Sequence, residues 1–124
     1  MRTLCTIAHF EQFAEPQTTH NDHPASNSQT LGVNMDGEHY IVVRQAHIFT
    51  AFINRCPHLH IPLEWQAHHF LDPDTELLRC STHGALFIPS SGECVSGPCA
   101  GDTLQSVNIQ RIADTLVLED QAST

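Results

Sequence analysis

Large apolar residues fall in short runs along this chain, broken at close intervals by polar and turn-forming residues. Leu4-Cys5-Thr6-Ile7 reads as a short first strand. Leu31 to Asn34 and His39 to Arg44 flank Met35-Asp36-Gly37-Glu38, and Asp-Gly between apolar runs signals a hairpin. Ile48-Phe49-Thr50-Ala51-Phe52-Ile53 reads as a buried strand and Leu77-Leu78-Arg79 as a shorter one. Leu86-Phe87-Ile88, a Ser90-Ser91-Gly92 turn and Glu93-Cys94-Val95 follow, and Leu104 to Ile109 with Thr115 to Leu118 predict a final hairpin around Ala113-Asp114. Many short strands without a long helical period argue for an all-β sandwich or barrel. Residues 15 to 30, EPQTTHNDHPASNSQT, hold no large apolar residue and predict a mobile, disorder-prone surface loop.

Length and charge narrow the class. At 124 residues the chain fits one domain, 1–124, with no internal repeat. Such a length buries roughly two-thirds of the unfolded surface. The formal charge is −9, from 14 acids against five arginines and no lysine. That balance argues against nucleic acid, which needs a basic footprint. It favours partners that present basic patches. No apolar stretch is long enough to cross a bilayer. The start, MRTLCTIAHFEQF, lacks a charged head followed by an apolar run, so neither a signal peptide nor a membrane anchor is expected. Five irregularly spaced cysteines do not make a secreted disulfide framework, and a reducing cytoplasm is the expected location.

Residues 55 to 92, RCPHLHIPLEWQAHHFLDPDTELLRCSTHGALFIPSSG, carry the chemistry. Two short knots stand out, Cys56-Pro57-His58 and Cys80-Ser81-Thr82-His83, with 21 residues between His58 and Cys80. Each offers one thiolate and one imidazole. C-x-H followed by C-x-x-H resembles the signature of the Rieske [2Fe–2S] domain. The match extends to Leu59, Pro62 and Leu63 after the first knot, and to Gly84, Leu86 and Phe87 after the second. It continues to Gly92 and to Gly97-Pro98 in a third loop, so that it covers most of residues 31 to 118. The resemblance implies an all-β, Rieske-type antiparallel β-sandwich with a small cluster-binding subdomain at about 54–100.

It also implies a [2Fe–2S] cofactor with Cys56 and Cys80 on the inner iron and His58 and His83 on the outer one. The histidines would leave Nε2 at the surface, as an electron exit and a docking point. Formal charge explains the mixed ligand set. Two ferric ions, two sulfides and two thiolates sum to zero, whereas four thiolates would leave an anion that resists reduction. Residues after each knot can point backbone N–H groups at the sulfides, as a nest does for an anion. Gly84 fits a position that needs close backbone approach or positive φ.

Departures from the family pattern sort the subtype. His60 stands where the family commonly has Gly, which puts an extra exposed imidazole beside the expected docking tip. Ile61 and Thr82 occupy the places of the extra cysteines of respiratory Rieske proteins, so their disulfide cannot form. Ala85 and Phe87 stand where those proteins use Ser and Tyr to donate to the sulfurs. Without these donors the reduced, more negative cluster is less stabilised. A ferredoxin-type centre with a potential near the low end of the Rieske range, about −150 mV, is expected.

Simpler readings compete at several positions. The four ligands could hold a structural zinc, but mononuclear zinc sites more often pair C-x-x-C with H-x₃₋₅-H. Zinc would leave the protein colourless and EPR-silent. His20-Asn21-Asp22-His23 and His68-His69 lie in polar stretches and read as solvated, as do His9, His39 and His47. Cys94 and Cys99 read as small packed thiols rather than as a disulfide. Arg55 and Arg79 precede the ligand cysteines, and strand alternation turns them outward to pair with surface acids. Trp65 is expected to pack within the cluster subdomain.

The function that follows is a one-electron carrier rather than an enzyme. It would accept an electron from a reductase, a flavoprotein by expectation, and pass it to a terminal oxygenase or similar acceptor. A Rieske oxygenase α subunit also needs a domain with a mononuclear iron on two His and a carboxylate, for which 124 residues leave no room. Two alternatives belong to other classes. One is a small Rieske subunit of a multi-chain reductase, resembling that of nitrite reductases; the other is an iron–sulfur redox sensor.

Overall fold

A computed structural model of the chain describes residues 2–15, 28–35, 37–45, 48–55, 70–72, 75, 77–80, 84–97 and 100–119. Within them lie ten strands and one short helix. Strand β1 is Arg2–Thr6, helix α1 Ile7–Phe13, β2 Ser28–Met35, β3 Glu38–Gln45 and β4 Ile48–Ile53. After these come β5 Leu78–Arg79, β6 Leu86–Phe87, β7 Cys94–Ser96, β8 Ser106–Val107, β9 Ile109–Ile112 and β10 Thr115–Leu118. The strands form three antiparallel sheets with orders β1-β10-β9, β2-β3-β4-β8 and β5-β6-β7.

The second sheet is the middle layer. Successive side chains on a strand face opposite sides, and β3 buries both sides. Tyr40 and Val42 enter one core, with Leu4, Phe10, Leu31, Leu116 and Leu118. Ile41 and Val43 enter another, with Phe52, Phe70, Leu78, Phe87 and Leu104. The terminal sheet and α1 therefore cover one face, and the β5-β6-β7 sheet covers the other. The unbroken run Tyr40-Ile41-Val42-Val43 is the sequence trace of this double burial. The hairpin expected around Asp36-Gly37 forms, with Met35 paired to Glu38.

Four expectations need correction. Ile7 does not extend the first strand. Thr6 turns the chain into α1 as its N-cap, accepting the His9 N–H at 3.0 Å, and the helix seats a fully buried Phe10. A seven-residue helix with one buried aromatic leaves almost no periodic signal. The polar loop also ends sooner than residue 30. Ser28, Gln29 and Thr30 lie in β2 and are buried, because their polar groups find partners. Ser28 Oγ accepts from Gln45 Nε2 at 3.1 Å, Gln29 Oε1 accepts from Arg44, and Thr30 exchanges backbone hydrogen bonds with Glu15. Residues 16–27 lie outside the described residues.

Leu104 to Ile109 is not one strand of a hairpin. Ser106 and Val107 pair with β4, and the last hairpin is β9 with β10 around Ala113-Asp114, where Ala113 takes a left-handed φ of 52°. Finally, Ile48 stands at the open end of β4 and is 68% exposed; burial in that strand centres on Ala51 and Phe52.

Candidate metal centre

Cys80 is the proposed ligand that falls within the described residues; Cys56, His58 and His83 lie outside them, as do His60, Trp65 and Cys99. The same holds for His20, His23, His47, His68 and His69. The chain reaches Cys80 along β5. Leu78 faces the core and is fully buried, Arg79 faces outward, and Cys80 is again fully buried. This alternation is the one the sequence predicts. The Arg79 N–H donates to Phe70 O at 2.7 Å, which ties the strand to the segment before it.

The turn after Cys80 closes on itself. The Cys80 N–H donates to Ala85 O and the Gly84 N–H donates to Cys80 O, both at 2.9 Å. Gly84 has φ +68°, and a Cβ there would meet nothing within 4 Å. Of the two reasons for a glycine, conformation is the one that applies. β6 then runs back beside β5, pairing Phe87 with Leu78 and Leu86 with Arg79. A buried cysteine whose own N–H and C=O are both hydrogen-bonded fits the inner side of a [2Fe–2S] site. Ala85 and Phe87 are both buried on this hairpin and offer no side-chain donor.

The approach to the first knot is anchored as far as Arg55. The Ile53 N–H donates to Gln105 O and the Asn54 N–H to His39 O, each at 2.8 Å. Arg55 Nη2 pairs with Glu38 Oε1 at 3.4 Å, and Arg79 Nη1 pairs with Asp72 Oδ1 at 3.5 Å. Both arginines therefore turn outward and pair with acids, as expected, although Asp72 is itself mostly buried. Asp72 has a further role that the sequence reading missed. Its Oδ2 also accepts the Thr75 N–H at 3.0 Å and the Thr75 hydroxyl at 2.9 Å. The spacing Asp-x-x-Thr in Asp72-Pro73-Asp74-Thr75 is the signal that could have found this turn.

The third loop leaves β7 at Ser96. The Cys94 Sγ–H donates to Ser96 O at 3.3 Å, and the Cys94 N–H donates to Asp102 O at 2.8 Å. Cys5, by contrast, sits in the core on the far side of the middle sheet, where burial pushes its thiol from 9.0 up to about 11.

The model of the Rieske [2Fe-2S] domain matches residues 16–112. The chain therefore belongs to the Rieske [2Fe–2S] domain family, and its cofactor is a [2Fe–2S] cluster. No curated protein matches it. Among solved structures it is similar to the Sphingomonas yanoikuyae B1 ferredoxin, with 14% identity and TM-score 0.64, over 95% of this chain and 96% of that one. It is similar to a chain of the complex of reduced oxygenase and oxidized ferredoxin in carbazole 1,9a-dioxygenase, with 18% identity and TM-score 0.60, over 94% and 99%. It is also similar to the cyanobacterial plasma membrane Rieske protein of Synechocystis, with 17% identity and TM-score 0.62, over 97% and 100%. These likenesses bear out the all-β fold of antiparallel sheets with one short helix. Among the described residues no helix is long and apolar enough to cross a membrane.

Proposed function

We propose that the chain is a Rieske-type ferredoxin, a single domain over 1–124 whose cluster-binding part spans about 54–100. The observation that carries this reading is the buried Cys80 on a self-closed turn, in a chain whose family binds a [2Fe–2S] cluster. Cys56 and Cys80 would hold the inner iron, and His58 and His83 the outer iron. When bound, the cluster takes up and releases one electron. The residues of this chain hold it in place and set its potential. Ala85 and Phe87 supply no hydroxyl, which supports a potential near the low end of the Rieske range, about −150 mV.

The donor is a reductase, a flavoprotein in this reading, and the acceptor an oxygenase or similar enzyme; each transfer moves one electron and forms no covalent bond. The excess of acids over arginines suits partners with basic docking faces. The carrier works in the cytoplasm in this reading, and it has no catalytic step of its own.

The test is iron and acid-labile sulfide analysis with visible and EPR spectra of the reduced protein, followed by a redox titration. Cys56→Ser, Cys80→Ser or His83→Ala abolishes cluster retention, whereas His68→Ala or His23→Ala leaves the spectrum intact. A midpoint above zero would refute the low-potential assignment. Protein without labile sulfide after anaerobic reconstitution would refute the carrier function.

A further inference from the structure

Gly97, where the third loop begins, lies against Ala85 at the end of the second ligand turn. A Cβ built on Gly97 would stand 2.8 Å from Ala85 Cα, 3.1 Å from Ala85 Cβ and 3.3 Å from Ala85 N. Two of these three are main-chain atoms, which cannot rotate out of the way. Ala85 is itself fixed, because its carbonyl accepts the Cys80 N–H at 2.9 Å and its side chain is buried. A push on Ala85 therefore passes directly to the Cys80–Ala85 turn. On the other side, Gly97 O accepts the Ala100 N–H and Cys94 O accepts the Gly101 N–H, each at 3.2 Å. The first bond closes the loop and the second ties it to β7, which pairs with β6 through Ser96 and Leu86, so Gly97 meets Ala85 just beyond the end of that ladder.

We propose that the bare Cα of Gly97 against Ala85 is a positioning contact that seats the third loop on the Cys80–Ala85 turn and governs how long the cluster is retained. The retention half of this statement rests on the Rieske reading; the seating half rests on geometry alone. Gly101 provides a matched control. Its φ is +98°, against +102° for Gly97, and it lies in the same loop, but a Cβ there would meet nothing within 4 Å. An added Cβ thus meets a positive φ of similar size at both positions, and only at Gly97 does it also collide with main chain.

The experiment compares holoprotein of the wild type, Gly97→Ala and Gly101→Ala. Bleaching of the visible spectrum by an iron chelator gives the rate of cluster loss, and amide exchange at Cys80 and Gly84 reports the turn. Gly97→Ala speeds bleaching over Gly101→Ala by about 10-fold or more, in line with overpacking of a close contact. Exchange at Cys80 and Gly84 rises in that variant alone. Equal bleaching and equal exchange in the two variants overturn the proposal. Absence of iron and sulfide from the wild type would sink the Rieske reading and the retention half with it; exchange at the two amides then decides the seating by itself. Should Gly97→Ala not accumulate as folded protein, Ala85→Gly reads the contact from the other side. Faster bleaching there supports the clamp, and an unchanged rate overturns it.

Discussion

The two faces of the middle sheet are built in different ways. On one, five-, four- and four-residue strands and helix α1 pack over β2, β3 and β4, with Phe10 set edge-on to Phe49 at 5.2 Å. Arg44 lies over both rings, 5.2 and 5.9 Å from their centroids, and pairs with Glu11 at 3.4 Å. On the other, two strands of two residues and one of three carry Cys80 and the third loop. So few ladder bonds cannot hold a sheet together alone. The face is held instead by side chains it shares with the middle sheet, Phe87, Leu78 and Phe70 against Ile41, Val43 and Phe52. Among the described residues, the scaffold side is stabilised by its own pairing, whereas the metal side relies on a core it shares with the middle sheet.

That contrast predicts different failures on truncation. Phe10→Ala and Phe87→Ala each remove a fully buried ring, so both should cost about 3–5 kcal/mol in chemical denaturation. Only Phe87→Ala should also speed cluster loss, because Phe87 lies on the hairpin that fixes Cys80. Equal cluster lifetimes in the two variants would show that the faces are one cooperative unit. A conservative change sharpens the comparison. Phe87→Tyr restores a hydroxyl where respiratory members carry one. A hydrogen bond to a charged acceptor is worth about 1.5–3 kcal/mol, and about 59 mV corresponds to about 1.4 kcal/mol for a one-electron couple. The midpoint should rise by up to ~60–120 mV, measured by redox titration; a fall would contradict the role given to missing donors.

The scaffold side has a pH response of its own. Cys5 ionises at about 11 in the folded protein against 9.0 for the ordinary thiol, because burial disfavours the thiolate. The neutral thiol therefore favours the fold. That contribution is complete below pH 9, where the unfolded chain is also protonated, and is lost as pH rises towards 11. Between about pH 8 and about pH 10.5 the denaturation midpoint should fall more for the wild type than for Cys5→Ala. An identical fall would remove Cys5 from the account.

How far the sequence could be read follows the same division. The family was legible because metal chemistry demands particular residue types at particular spacings, and the matching model spans residues 16–112. The β2–β3 hairpin was legible through Asp36-Gly37. What escaped was whatever depended on a partner distant in sequence. Thr30 reads as loop until Glu15 is beside it, and Ser106-Val107 reads as a hairpin strand until β4 claims it. Helix α1 was hidden by its length. Gly97 stands out in the sequence by its family position, but the reason for a glycine there becomes visible only beside Ala85, whose Cα would lie 2.8 Å from an added Cβ.

The smallest effects separate the segments that lead into the first and second ligand knots. Arg55 and Glu38 are 48% and 33% exposed, and such pairs contribute about 0.2–1 kcal/mol, less in high salt. Asp72 is 13% exposed and holds Arg79 together with the amide and hydroxyl of Thr75. Removing Glu38 leaves one solvated guanidinium and releases the exposed His39 N–H, which donates to Glu38 Oε1 at 3.2 Å, while the main-chain anchor from Asn54 to His39 O is untouched. Removing Asp72 strands two donors of one turn as well as an arginine. Asp72→Ala should therefore destabilise by about 1 kcal/mol more than Glu38→Ala, since it loses two such hydrogen bonds against one and each costs about 1 kcal/mol on average. Arg55→Ala and Arg79→Ala should differ by much less. If the two acid variants unfold at the same denaturant concentration, the second knot owes its approach to the main-chain pairing of β5 with β6 and with Phe70, and the Asp72 side chain contributes no stability to it.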